Sequence, residues 1–257
     1  MRLHVYEWGE DDAPPVVCLH GVTGHSGRFR RLAERLPGFR VLAFDLRGHG
    51  FSGWEPPWGI EAHLEDVLET VDAAGIGRAT WIGHSFGGRL TLELAAREPD
   101  RVARAVLLDP AIRIRPDIAL LVAEAERAER RFGSRDEATP PGTGPRLRTP
   151  PELIDEEREE HLEQQSDGTF RWRYCQSAVV AILGELAGWG PPPEQIRAPT
   201  LLVVAADGSV VGHGQLDRYR RALGDRLEVV TVPGGHDVLW DAFAETADAV
   251  AEFIGTA

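Results

Sequence analysis

The 257-residue sequence carries a formal net charge of −13, and every residue in its basic count of 28 is an arginine. That acidic excess argues against nucleic acid or an anionic membrane surface as a partner. The absence of lysine excludes a Schiff-base lysine, a lysine-bound pyridoxal phosphate and a P-loop lysine.

The chain begins Met1-Arg2-Leu3-His4-Val5, without the apolar run of a secretory signal, and no later run approaches membrane-spanning length. A cytoplasmic protein is therefore expected. A short strand over 3–8 gives way to the polar turn Gly9-Glu10-Asp11-Asp12. Further strands are predicted over 16–20, 41–44, 79–82, 105–108, 201–204 and 227–232, most of them apolar on both faces, as suits strands covered by helices on two sides. Helices are predicted between them over 26–36, 61–74, 88–97, 215–223 and 240–254. Strand and helix alternate, so the fold class is α/β, with a doubly wound, mostly parallel sheet.

The alternation breaks between 112 and 196. This interval holds a charged helix over 117–131 and a Pro/Gly-rich loop over 139–145. A second helix follows, with Thr149 expected as N-cap and Glu152 closing a capping box. The acidic run 156–160 reads as a solvated helix face. The expected organisation is a core of 1–111 and 197–257, with 112–196 inserted as a helical cap. Of the two cysteines, Cys18 lies inside a strand and is expected to be buried and inert.

Chemistry concentrates at Gly83-His84-Ser85-Phe86-Gly87, where a strand turns sharply into a helix. Such a turn holds Ser85 out of the sheet as a nucleophile, and the flanking glycines avoid collisions a Cβ would make. A serine hydroxyl needs a base, and His236, on the loop after the last strand, reaches the same edge of the sheet. His20, His49 and His84 read as structural. The base needs an orienting carboxylate, and both Asp207 and Asp109 end strands at that edge. An oxyanion would be met by the backbone N–H groups of Phe86 and Val22.

These residues resemble the α/β-hydrolase superfamily, in its serine esterase and lactonase branch. His20-Gly21, Asp45-Leu46-Arg47-Gly48-His49-Gly50-Phe51-Ser52, the Ser85 elbow and Gly235-His236 occur in the family's order over essentially the whole chain. One departure concerns the acid. Relatives follow Pro-Thr-Leu-Leu-Val-Val with Gly-x-x-Asp, whereas this chain has Ala205-Ala206-Asp207-Gly208. Asp207 comes one residue early; a one-residue shift in a loop is easily absorbed, and Asp207 is preferred to Asp109.

The resemblance implies ester hydrolysis through an acyl-enzyme, without cofactor or metal. Enol-lactone hydrolysis and carbon–carbon cleavage by the same residues are alternatives, as is a ligand receptor on this fold. The expected partner is a small-molecule ester or lactone, bound by a monomer or homodimer, with Trp54, Trp172 and Trp189 lining an apolar pocket.

Overall fold

The computed structural model describes residues 1–141 and 149–255. Residues 142–145 of the expected Pro/Gly-rich loop lie outside the described residues. Seven strands form the main sheet: β1 (Val5–Trp8), β2 (Pro15–Leu19), β3 (Arg40–Phe44), β4 (Ala79–His84), β5 (Val102–Leu108), β8 (Thr200–Ala205) and β9 (Leu227–Val232). Their order is β1-β3-β2-β4-β5-β8-β9. Only β1 runs antiparallel, against β3; the other neighbours are parallel.

Alternation along the strands divides the core between two faces. Val17, Leu19, Leu42, Trp81, Leu107 and Leu202 pack into one cluster. Val16, Cys18, Val41, Ile82, Val106 and Val203 pack into the other. Successive strand side chains point to opposite faces, so a strand buried on both must be apolar at every position. All six residues of β4 are accordingly buried. Burial also raises the Cys18 thiol pKa far above its ordinary range, so the thiol is held protonated. The helices α1 (Arg30–Glu34), α2 (Ile60–Ala73), α3 (Phe86–Arg97), α7 (His213–Leu223), α8 (Val238–Asp241) and α9 (Phe243–Gly255) flank the sheet.

The interval between β5 and β8 contains α4 (Pro116–Glu126), α5 (Pro151–His161), the β6 (Leu162–Gln164) and β7 (Phe170–Trp172) hairpin, and α6 (Gln176–Ala187). A small separate cluster, including Leu162, Trp172, Tyr174, Val179 and Leu183, forms its core.

Three expectations need correction here. The charged helix stops at Glu126 rather than 131, because Phe132 leaves it to exchange backbone hydrogen bonds with Phe170, each at 2.9 Å. Thr149 does not cap α5. Pro150 occupies that position, and the Thr149 hydroxyl donates instead to Asp241 Oδ1 at 2.5 Å.

The third correction concerns the acidic run, which is not simply solvated. Glu157 is buried, with Oε1 2.5 Å from Arg28 and Oε2 2.8 Å from His25 Nε2. Burial alone would raise this carboxyl, but Arg28 and His25 hold it well below the usual carboxylate range. Glu156 and Glu160 pair with Arg31 and Arg30, so one face of α5 is an ion-pair seam against the segment after β2.

Candidate active site

Among the described residues, three that are not glycine have positive φ: Thr23 at 65°, Ser85 at 52° and Asp109 at 40°. Each follows the C-terminal end of a neighbouring central strand, β2, β4 or β5. A non-glycine residue in this region costs on the order of 1–3 kcal/mol and persists only where its surroundings fix it. The three strained positions therefore mark one edge of the sheet.

At Ser85 the surroundings are backbone. Its N–H donates to Leu108 O at 3.1 Å, and its carbonyl accepts from Arg89 N–H at 3.1 Å and Ala111 N–H at 2.9 Å. A Cβ on Gly87 would lie 2.0 Å from Leu19 O, and one on Gly83 would lie 2.2 Å from Gly87 O, so neither position admits a larger residue. Phe86 is the first residue of α3, where an N–H has no intrahelical partner and the helix dipole favours negative charge. Val22 and Thr23 line the same cavity as Ser85.

His236 shares that cavity, and its Nδ1 stands 2.6 Å from Asp109 Oδ2. Asp109 is fully buried and accepts four hydrogen bonds, the others from Ser209 Oγ, Ala205 N–H at 3.2 Å and Val210 N–H at 3.1 Å. A carboxylate has about four lone-pair sites, and all of these are used. Burial alone would raise the Asp109 pKa; the His236 hydrogen bond and charge, with Ser209 and Val210, bring it below the ordinary value.

Asp207, preferred on the sequence, is exposed on the turn beyond β8, and its backbone N–H bonds Gly234 O at 2.9 Å. The aspartate held against His236 is Asp109. The loop carrying His236 is in turn fixed by Asp241, whose Oδ2 accepts from Gly235 N–H at 2.7 Å.

The neighbouring histidines are structural. His20 Nδ1 bonds Gly21 O at 2.8 Å while its Nε2 accepts from Leu46 N–H at 2.9 Å, so it carries its proton on Nδ1. His84 Nε2 donates to the His236 carbonyl at 3.0 Å. Burial lowers His49 and His84 to about 4 and His63 to about 3.

These rings are neutral in the fold, whereas an unfolded chain protonates them near 6.5. Their contribution to stability is intact above that value and is lost as pH falls from 6.5 towards 4, at about 1.4 kcal/mol per pH unit for each ring. The urea midpoint should therefore fall steeply between pH 6 and pH 4.5. A flat profile there would show that the rings are not buried neutral.

The cavity at Ser85 is small, about 40 Å³, and its apolar wall is formed by Val22, Ile114, Val122, Leu183, Leu186 and Val210. The expected tryptophan lining is not found. Trp172 is buried in the small cluster between β5 and β8, its Nε1 donating to Thr139 O at 3.1 Å. Trp54 lies under Arg171, 4.9 Å from guanidinium carbon to ring. Trp189 is 66% exposed and borders a different, larger groove.

Polar wall residues that the sequence reading missed are Arg28, Glu126 and Asp237. Arg28 is tied to Glu157 and lies over Trp240 at 4.5 Å; Glu126 accepts from Tyr174 Oη at 2.8 Å. Ser209, which helps hold Asp109, was missed as well. Among the described residues no group of three or more His, Cys, Asp or Glu is placed to hold a metal ion, and no helix is long and apolar enough to cross a membrane.

Comparison with known proteins finds relatives along most of the chain. The chain is 34% identical to the lipase LipV of Mycobacterium tuberculosis over 249 residues, 92% of this chain and 91% of that protein. The crystal structure of E-2-(acetamidomethylene)succinate hydrolase superposes with a TM-score of 0.88 at 27% identity, over 99% of this chain and 95% of that one. The enol-lactonase of Burkholderia xenovorans shares the fold, with a TM-score of 0.79 at 23% identity, over 98% of this chain and 96% of that one. The model of the family described as alpha/beta hydrolase fold matches residues 14–149. With the parallel sheet, the elbow at Ser85 and these relatives together, the chain belongs to the α/β-hydrolase family.

Proposed function

We propose that the protein is a serine hydrolase that cleaves carboxylic esters through an acyl-enzyme. The observation that carries this reading is the 2.6 Å contact between His236 Nδ1 and buried Asp109, on a ring that shares its cavity with the strained Ser85. With Nδ1–H donated to Asp109, the neutral imidazole has its lone pair on Nε2 and acts as the base.

Ser85 Oγ attacks the ester carbonyl carbon as His236 Nε2 takes its proton. The carbonyl π electrons move to oxygen, and the N–H groups of Phe86 and Val22 receive the oxyanion. The carbonyl re-forms, the C–O bond to the alcohol breaks, and the imidazolium returns its proton to the leaving alkoxide. A water then attacks the acyl-enzyme by the same route, its proton passing through His236 to Ser85, and the carboxylic acid departs. Asp109 stabilises the imidazolium in both halves and is not itself protonated.

In this reading residues 112–196 act as a cap. Ile114, Val122, Leu183 and Leu186 come from that segment and close over Ser85, which supports burial of the acyl group away from bulk water. The relatives named a lipase and an enol-lactonase support hydrolysis at an acyl carbon. The test is turnover of p-nitrophenyl acetate through octanoate, together with labelling by a fluorophosphonate. Saturable hydrolysis of at least one ester, and one label per chain on Ser85, is expected. A protein that binds such esters without turning them over, and resists labelling, would be a receptor and not a hydrolase.

A further inference from the structure

Beside the catalytic cavity lies a second, larger space that the proposed triad does not use. It is a groove of about 690 Å³ between the segment leaving β5, the return of the inserted segment at Trp189 to Pro191, and the start of α7. That volume falls within the range of about 300–1,000 Å³ typical of small-molecule sites. Ile114 and Val210 line both spaces, so the groove shares a wall with the cavity at Ser85.

Its lining is mainly apolar, with Ile112, Ile118, Trp189, Pro191 and Val210 among the residues. Of its polar lining, Ser209, Arg115, Gln215 and Arg218 are engaged with Asp109, Asp117, Gly212 and Glu194 respectively, and two further polar groups break the surface. Arg113 lies over the Trp189 ring at 4.2 Å and donates Nε–H to Ala187 O at 3.2 Å, with no carboxylate partner among the described residues. Tyr219, only 2% exposed, also lines the groove, and its hydroxyl has no hydrogen-bond partner among the described residues.

A buried hydroxyl without a partner is destabilising, and native folds keep few of them. The Arg113 guanidinium likewise has no carboxylate among the described residues to compete with a bound anion. One occupant answers all three features: an apolar chain for the walls, and a planar, doubly accepting anion for a guanidinium fork and a phenol.

We propose that this groove binds an aliphatic carboxylate, its chain along Ile112, Ile118 and Pro191 and its head between Arg113 and Tyr219. Two sources share that chemistry: the remote end of a half-ester substrate, or a free fatty acid.

Binding is tested with sodium decanoate titrated calorimetrically into the full-length Ser85→Ala protein, which cannot turn over. Saturable binding is expected. Arg113→Gln should weaken it at least tenfold, and Tyr219→Phe several-fold without lowering the unfolding midpoint, since that change deletes an unpaired hydroxyl. Gly214→Trp should abolish it, because Gly214 lines the groove, is exposed, and leaves more than 4 Å around an added Cβ; an unchanged unfolding midpoint checks that the fold is kept. Absence of binding, equal affinity in all three variants, or decanol binding as tightly as decanoate would overturn the proposal.

The source is read from turnover by Arg113→Gln. A tenfold loss in kcat/KM for mono-p-nitrophenyl suberate, with p-nitrophenyl octanoate unaffected, places a substrate's remote carboxylate in the groove; equal rates assign it to free acid. Only this second arm rests on the ester-hydrolase reading. Failure of that reading leaves the calorimetric result standing, and the two are distinguishable.

Discussion

Ser85→Ala should lower ester turnover by about a million-fold while leaving the fold intact, the largest effect expected of any single substitution in this chain. The loss is large because the base, the acid and the oxyanion donors act on a proton and a negative charge that exist only if the hydroxyl attacks. Without Oγ, His236 has nothing to deprotonate, and a residual acceleration of about 10³–10⁴ over water remains from the oxyanion donors and binding.

The fold survives because Ser85 is held by its backbone. The bonds to Leu108, Arg89 and Ala111 all use main-chain atoms, and alanine keeps them. A change in stability within about 1 kcal/mol is expected from urea unfolding, since the hydroxyl fills no core volume. A fluorophosphonate should label the natural protein and not the variant. Persistent labelling, or turnover above about 1% of the original, would place the nucleophile elsewhere.

What the sequence made legible follows from how local each feature is. Strands buried on both faces are continuous apolar runs, so β2, β4, β5 and β8 could be located directly, and the Gly83 to Gly87 spacing locates the elbow, where a Cβ on Gly83 would meet Gly87 four positions on; the collision of a Gly87 Cβ with Leu19 joins distant parts of the chain and is seen only in the fold. The hairpin of β6 and β7 was not legible. Three-residue strands give no periodicity, and Phe132 pairs with Phe170 across 38 positions. Thr149 illustrates the same limit: its hydroxyl was free to cap a helix locally, but Asp241, far along the chain, takes it.

The preference for Asp207 over Asp109 does not match the contact geometry, for a similar reason. Counting from Pro199 treats the end of β8 as the place where a carboxylate meets the histidine, yet strand ends are equivalent in sequence and not in space. In the sheet β5 lies between β4 and β8, so Asp109 stands one strand from Ser85, and the loop after β9 reaches across to it. One signal is available in retrospect: Ser209 and Val210, just past Asp207, supply two of the donors that hold Asp109.

Asp109→Asn should reduce turnover on the order of ten-thousand-fold, about 5.5 kcal/mol in the barrier, whereas Asp207→Asn should stay within about twofold. The carboxylate keeps the His236 proton on Nδ1, which leaves Nε2 free to accept from Ser85, and its charge stabilises the imidazolium as it forms. An amide at 109 removes that charge. Because Ala205 N–H, Val210 N–H and Ser209 Oγ all point donors at this position, the amide NH₂ must face a donor or turn towards Nδ1. In the second case it forces the proton to Nε2, the wrong tautomer for a base.

One unpaired buried group also costs about 1–3 kcal/mol of stability at neutral pH, so turnover should be compared well below the variant's unfolding midpoint. The same carboxylate sets a pH limit. Its folded pKa is lowered, so its stabilisation is fully present above the unfolded value near 3.8 and is lost only as pH falls through the lower folded value. The Asn variant should lack that acid-side dependence. At Asp207 the side chain is exposed and the structural bond to Gly234 belongs to the backbone, so asparagine keeps that bond. Turnover measured for both variants against p-nitrophenyl acetate decides the assignment: a large loss at 207 with little at 109 would reverse it, and small losses at both would leave Ser85 and His236 acting as a dyad.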